Sequence, residues 1–211
     1  MSKPKQILKN AIKNYLLDKL NGEGFIYSDS SLKFSRTFGM FKNEIVFLGS
    51  KTNYEDILVN FQVHFNIYSS EYKRWHTEKF PDLQIIGAGL INPDRDKYIQ
   101  SLDNDLQLGS WHNFTILEQK KTTESIYIKF QNFAIPYFTD NENWSKIAEN
   151  TNSNGILKLD SLIISGRVDE AYEYCNKTIN IFEQEFGDNI SGHALQILIY
   201  FKARKELLRK N

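Results

Sequence analysis

Histidine and cysteine are the side chains in this sequence whose chemistry could support catalysis or metal binding. The chain contains four histidines and one cysteine: His64, His76, His112, His193 and Cys175. No two histidines are four residues apart, the spacing that places two zinc ligands on one helix face. Cys175 lies in a segment of amphipathic helical pattern, which indicates a small buried side chain. Local spacing therefore predicts no metal site, although a site assembled from distant segments stays open.

The motifs of common enzyme classes are also missing from the sequence. The chain has no Gly-x-Ser-x-Gly nucleophile elbow and no lysine after a glycine run of the phosphate-binding type. Gly87 and Gly89 fall in a strand-like segment without the third glycine and following helix of a dinucleotide-binding fingerprint. We therefore predict no cofactor and no catalytic residue from local sequence, and we leave open whether the protein is an enzyme.

Residues 57–68 form the clearest element of the chain. Apolar residues occupy every second position, at Ile57, Val59, Phe61, Val63, Phe65 and Ile67. The positions between them hold Leu58, Asn60, Gln62, His64, Asn66 and Tyr68. A period of two with β-branched and aromatic residues on one side predicts a β-strand with one face in the core. The other face presents uncharged hydrogen-bonding side chains.

We refer to Asn60, Gln62, His64, Asn66 and Tyr68 as the polar row and interpret it in two ways. An antiparallel sheet commonly exposes one face to water, so the row could be ordinary exposed surface. However, surfaces that meet only water usually carry charges, and the row has none. Uncharged polar groups next to an aromatic ring suit a partly covered interface. We therefore predict that the polar row is a binding face for a protein partner.

Two alternative hypotheses assign the function to other residues. In the first, the protein is an enzyme with a dispersed site around His64 on the polar sheet face, with Arg36 or a loop carboxylate as its partner. In the second, Lys73, Arg74 and Trp75, which are basic and aromatic within one short helix, bind nucleic acid. Packing of that helix on the sheet explains the same residues, and no extended basic stripe accompanies them.

Composition limits the class of protein. Among 211 residues, 26 basic and 26 acidic side chains balance, which gives no overall attraction to nucleic acid or an anionic membrane. An apolar fraction of 41% indicates a folded globular chain. There is no apolar run long enough to span a membrane and no apolar segment of a secretory signal. We therefore expect no membrane association and a cytoplasmic location, and the many Lys, Asn and Ile residues suggest a bacterial source.

The order of elements predicts a mixed α+β fold. We expect an N-terminal helix packed on an antiparallel sheet of about six strands, followed by a C-terminal helical segment. The expected strands are 25–27, 32–38, 44–48, 57–68, 83–91 and 111–117. The expected helices are 3–21, 70–79, 122–138, 141–149, 156–165, 168–186 and 190–209. The linker-like residues 150–155 divide the chain into an α+β domain, 1–150, and a helical subdomain of three helices, 151–211, packed on the first.

Two parts of the sequence resemble known proteins. Gly24-Phe25, Phe34-x-Arg36 and the segment from Ala134 to Phe138 make residues 1–150 similar to an uncharacterised bacterial family of domains of unknown function. That resemblance implies a fold more than an activity. Small α+β proteins of this kind often look similar to immunity or accessory proteins encoded beside bacterial toxins. Residues 157–186 resemble one helical hairpin of the tetratricopeptide type, without a second copy.

These observations favour a non-enzymatic protein-binding module. We expect it to act without a cofactor or metal, through the polar row, as a bacterial immunity or accessory protein. The enzyme with a dispersed site around His64 is the alternative.

Overall fold

The computed structural model describes residues 3–51, 53, 58–83, 90–91, 112–151 and 155–210. The chain divides into two compact units, each built from two stretches of sequence. The first unit comprises residues 1–68 and 95–139, and the second comprises residues 69–94 and 140–211. Residues 69–94 and 140–150 thus belong with the C-terminal helices, whereas the sequence analysis places residues 1–150 in one domain.

The first unit contains an antiparallel sheet. Its strands are β1 Ile26–Ser28, β2 Lys33–Phe38, β3 Phe41–Gly49, β4 Val59–Tyr68 and β6 His112–Phe114, whereas β5 Leu90–Ile91 belongs to the second unit. The first four strands follow one another in spatial order, as expected for a meander, and β6 pairs with β4. The mixed α+β class with an antiparallel sheet is therefore confirmed.

Several strands differ in length from their sequence-based bounds. The strand expected at 44–48 begins earlier, at Phe41, because Gly39 with a φ of 57° allows a tight turn after β2. The strand expected at 111–117 is shorter, since Thr115 to Glu118 form a turn closed by Glu118 N–H donating to Thr115 O at 3.1 Å. Most of the strand expected at 83–91, and Ile57, lie outside the described residues.

The N-terminal helix of the first unit is divided in two. Helix α1 spans Lys3–Tyr15 and α2 spans Leu17–Gly22, with Leu16 between them. The buried residues Leu8, Ala11 and Ile12 of α1 lie at helical spacing, and α1 contacts β3 and β4. The expected single helix 3–21 is thus wrong in its continuity, although Leu16 N–H still donates to Ile12 O at 2.9 Å.

The helix expected at 122–138 is also interrupted. Helix α4 spans Gln119–Lys129, a π-helical turn follows at Phe130–Ala134, and α5 spans Ile135–Asp140. Pro136 has no N–H and its ring crowds the carbonyl four residues before it. A wider π-helical turn relieves the crowding between the proline ring and that carbonyl, and the helix continues after it. Phe130 and Phe133 from this turn are buried with Phe65 of β4, at ring distances of 5.4 Å and 6.1 Å.

The second unit is helical. Its elements are α3 Ser70–Lys79, α6 Trp144–Asn150, α7 Gly155–Ile164, α8 Val168–Phe186 and α9 Gly192–Arg209. The bounds expected for α3 and α8 are confirmed. Ser69 begins α3, as the sequence predicts, because its hydroxyl accepts a hydrogen bond from Tyr72 N–H at 3.0 Å. Gly166 allows the turn before α8 with a φ of 79°.

Candidate binding face

The polar row lies on β4 with the alternation expected from the sequence. Val59, Phe61, Val63, Phe65 and Ile67 are all buried, whereas Asn60, Gln62, His64, Asn66 and Tyr68 are half-buried. Successive side chains of a strand point to opposite faces of the sheet. All five residues of the polar row therefore lie on one face, opposite the aromatic core of the first unit. We refer to this face as the open face.

Residues of β3 complete the open face beside the polar row. The antiparallel register pairs Tyr68 with Lys42, Asn66 with Glu44, His64 with Val46 and Gln62 with Leu48. On the other side of β4, Asn60 pairs with Asn113 of β6. Cross-strand neighbours of this kind are close enough for their side chains to interact. The polar row is thus continuous with an exposed leucine, Leu48, and with a third asparagine, Asn113.

Glu44 is the acidic residue of this surface, and its charge is compensated. Its carboxylate accepts hydrogen bonds from Lys33 Nζ at 2.7 Å and from Lys42 Nζ at 2.9 Å, and Glu44 itself is only 5% exposed. Burial alone would raise the pKa of Glu44, but the two lysines outweigh burial and hold that pKa below its ordinary value. The centre of the open face therefore carries a paired carboxylate beside neutral amides.

Hydrogen bonds order the polar row itself. The His64 Nε2 atom lies 3.4 Å from Gln62 Oε1, so the ring and the amide face each other. At the start of β4, Asn60 N–H donates to Asn53 Oδ1 at 2.6 Å, and Asn60 O accepts from Ser50 N–H at 2.9 Å. Burial, with the charge of Glu44 second, raises the pKa of the Tyr68 phenol. The phenol of Tyr68 and the amides of Asn60, Gln62 and Asn66 are therefore neutral donors and acceptors near pH 7.

Arg36, the expected partner of His64 in a dispersed catalytic site, lies on the other face of the sheet. Arg36 pairs with Asn43, whereas His64 pairs with Val46, three positions further along β3. Asn43 and Val46 are an odd number of residues apart on β3, so their side chains point to opposite faces, and paired residues share a face. Arg36 and His64 therefore lie on opposite faces of the sheet. The pairing of His64 with Arg36 is therefore wrong.

The guanidinium of Arg36 is instead part of the first unit's core. It lies 4.5 Å from the centre of the Phe25 ring and 4.6 Å from that of Phe38, and its Nη1 donates to Glu23 O at 2.7 Å. Burial among these rings lowers the pKa of Arg36, against the opposing charge of Glu23. Contact of a guanidinium with aromatic faces is favourable, which gives this residue a structural role.

The three candidate nucleic-acid residues of α3 have different surroundings. Lys73 and Arg74 are exposed on α3, whereas Trp75 is half-buried. The Trp75 ring is stacked on Tyr72 at 6.0 Å and meets the Phe80 ring edge to face at 5.5 Å. These contacts already engage the indole, and base stacking needs a free aromatic face. Lys79, in the last turn of α3, is exposed as well.

A buried polar cluster in the second unit was not predicted from the sequence. Asp160 of α7 and Arg204 of α9 are both 0% exposed and form an ion pair. Tyr72 of α3 donates its hydroxyl to Asp160 Oδ2 at 2.7 Å, and the guanidinium of Arg204 lies 4.3 Å from the centre of the Phe80 ring. The cluster therefore ties three helices together. Its signal in the sequence was Arg204, which occurs at a core spacing with Phe201 and Leu208.

The charges of this cluster shift the pKa values of its members. Burial and the Asp160 carboxylate raise the pKa of Tyr72 above its ordinary value. Burial would lower the pKa of Arg204, but Asp160 raises it. His76 is 2% exposed and its pKa is lowered, by burial first and by Arg204 second. Perturbed groups of this kind often mark catalytic sites, but full burial of Asp160 and Arg204 gives a substrate no access. The cluster is thus a structural one.

Comparisons with known proteins find no matching protein-family model, curated protein or solved structure. The part of the chain that the structure describes contains no group of three or more His, Cys, Asp or Glu side chains placed to hold a metal ion. Within the same residues, every helix is too short or too polar to cross a membrane.

Proposed function

We propose that this protein is a binding module whose partner is another protein and whose binding surface is the open face. The observation that carries the proposal is the polar row, in which uncharged amide, imidazole and phenol groups stand half-buried beside the exposed side chain of Leu48. Interface centres are depleted of charged residues and enriched in tyrosine. The paired state of Glu44 supports the proposal, because a partner would meet a compensated charge.

The proposal extends to the class of protein. We infer a bacterial immunity or accessory protein that works in the cytoplasm by covering a surface of its partner, without a cofactor. This class rests on the likeness of small α+β proteins of this kind to immunity or accessory proteins encoded beside bacterial toxins. Binding by surface complementarity requires only that the open face be accessible and rigid, and β4 at the centre of a sheet supplies rigidity.

A substitution on the open face tests the proposal. Gln62→Arg places a charge between Asn60 and His64, opposite Leu48. Gln184→Arg makes the same chemical change at an exposed position of α8 and serves as the matched control. Tagged wild-type protein and both variants are expressed in the native host with the neighbouring genes present, and partners are identified by mass spectrometry.

We expect a stoichiometric partner with the wild type and with Gln184→Arg, and loss of that partner with Gln62→Arg. Equal recovery by all three proteins, or no stoichiometric partner for the wild type, would overturn the proposal. His64→Ala separates it from the enzyme alternative. A reaction that the wild type catalyses and that correctly folded His64→Ala does not would favour a dispersed active site at His64.

A further inference from the structure

The first unit contains a half-open cavity of about 590 Å³. It lies between the first turn of α1, the β1–β2 connection, the end of β3 and the residues that follow. Leu8, Leu32 and Phe47 give it an apolar wall, and all three side chains are buried. A volume between about 300 and 1,000 Å³ with an apolar wall and a few polar groups is typical of small-molecule sites.

The polar part of the lining is cationic and rich in hydroxyl groups. Lys5 and Lys51 supply positive charge, and Ser30, Ser31 and Ser50 supply hydroxyls. None of the described lining residues is a carboxylate.

The cavity lysines differ from other lysines of the first unit. Lys9 and Lys13 both bind Asp29, and Lys33 and Lys42 both bind Glu44. In the described part of the chain, no carboxylate pairs with Lys5 or Lys51. An anion that enters the cavity would meet both positive charges.

The backbone of Leu32, in the apolar wall of the cavity, has a strained conformation. Leu32 has a φ of 49°, and it is the one residue other than glycine with a positive φ in the described ranges. The left-handed conformation is costly for a bulky side chain and is retained where surrounding structure enforces it, often at ligand sites. In this chain the left-handed conformation of Leu32 accompanies burial of its side chain in the cavity wall. Ser30 and Ser31, which precede it in the sequence, line the same cavity.

We propose that this cavity binds a small phosphate monoester with an apolar body. Two lysines match the charge of a phosphate monoester, which approaches two negative charges at neutral pH. The Ser31 hydroxyl already donates to Ser28 Oγ at 2.9 Å, so the Ser30 hydroxyl supplies a donor to the phosphate oxygens. The wall of Leu8, Leu32 and Phe47 accepts the apolar body. This site shares Leu48 with the open face, but the proposal does not depend on a protein partner.

Calorimetric titration with phenyl phosphate tests the site in the full-length protein. Inorganic phosphate supplies the anion without the apolar body, and phenol supplies the ring without the anion. The Lys5→Gln/Lys51→Gln variant removes both charges from exposed side chains. Lys73→Gln/Lys120→Gln removes two exposed lysines elsewhere and serves as the control. Backbone amide shifts of the wild type locate the ligand independently of any variant.

We expect saturable one-to-one binding of phenyl phosphate, tighter than that of phosphate or phenol, with amide shifts at Ser31, Gly49 and Ser50. Loss of both cavity lysines should weaken binding by about tenfold or more, since each removes a charge-assisted hydrogen bond. The control variant should bind as the wild type does. The proposal is overturned if phenyl phosphate does not saturate, if phenol or inorganic phosphate binds equally well, or if both variants bind alike.

Discussion

Arg204 holds the carboxylate of Asp160 through two hydrogen bonds, from Nε to Oδ1 at 2.5 Å and from Nη2 to Oδ2 at 2.8 Å. Both side chains are fully buried. Removing one partner of a buried pair leaves a charge without compensation, which is far more costly than losing an exposed pair. The pair therefore controls how α7 and α9 pack in the second unit, with Tyr72 adding α3 through the same carboxylate.

We predict that Arg204→Met destabilises the protein by about 3 to 5 kcal/mol, because Asp160 stays buried and charged. Asp160→Asn combined with Arg204→Met should recover part of that loss, since no unpaired charge remains. Urea unfolding followed by circular dichroism measures both. The control is Arg209→Met, which breaks an exposed pair with Glu206 and should leave the unfolding midpoint nearly unchanged. A similar small effect of Arg204→Met would contradict this role of the pair.

His76 should make the stability of the protein depend on pH. The charged groups around it are Arg204 and Asp160, and the rings of Tyr72, Phe80 and Tyr200 surround it. Burial, and then the Arg204 charge, lower the pKa of His76, so the unfolded chain binds a proton more readily than the folded one. The contribution of buried His76 to the free energy of unfolding is fully present above about pH 6.5, the ordinary histidine pKa. It is lost as the pH falls from there through the lowered pKa of the folded protein.

We therefore expect the free energy of unfolding to fall between pH 7.5 and pH 5 more steeply for the wild type than for His76→Leu. His193→Gln, a change at an exposed histidine, should keep the wild-type slope. Urea unfolding at a series of pH values measures the difference. Parallel curves for the wild type and His76→Leu would show that burial of His76 has no such effect.

Cys175 should be unreactive in the folded protein. The residue is buried in α8 with its Sγ 3.2 Å from Phe201 O, and burial raises the pKa of the thiol to about 11. The thiolate is the reactive form of cysteine, so little of it exists near neutral pH. We expect an aromatic disulfide reagent to react with no thiol in the native protein and with one thiol per chain in urea. Rapid reaction of the native protein would contradict the burial of Cys175.

The elements of this fold that follow local rules could be predicted from the sequence. The strict alternation of residues 57–68 predicted which face of β4 is buried, although β4 itself is Val59–Tyr68, and the helix expected at 70–79 has those bounds. Side-chain periodicity and capping depend on neighbouring residues. The break of α1 at Leu16 could not be predicted, since apolar residues at helical spacing continue across it. Pro136 indicated an interruption, but not that a π-turn would absorb it.

The candidate sites depend on contacts that no local pattern encodes. Asp160 and Arg204 are 44 residues apart, and each alone resembles an ordinary charged position in a helix. The cavity in the first unit combines α1 with the β1–β2 connection, the end of β3 and the residues that follow β3. The sequence does not reveal the register between β2, β3 and β4, which decides the face on which each side chain lies. For that reason it could not show that His64 and Arg36 lie on opposite faces. The polar row, in contrast, lies within a single strand and was therefore visible in the sequence.

Photo-crosslinking from position 68 tests the open face most directly. Tyr68 is replaced by p-benzoylphenylalanine, which keeps the aromatic ring of the polar row, and Tyr172 of α8, 38% exposed, is replaced in the same way as the control. Cells of the native host are irradiated and the adducts are identified by mass spectrometry. We predict one discrete protein adduct from position 68 and none from position 172. An adduct from position 172 alone, or no adduct from position 68, would contradict the proposal that the open face binds a protein partner.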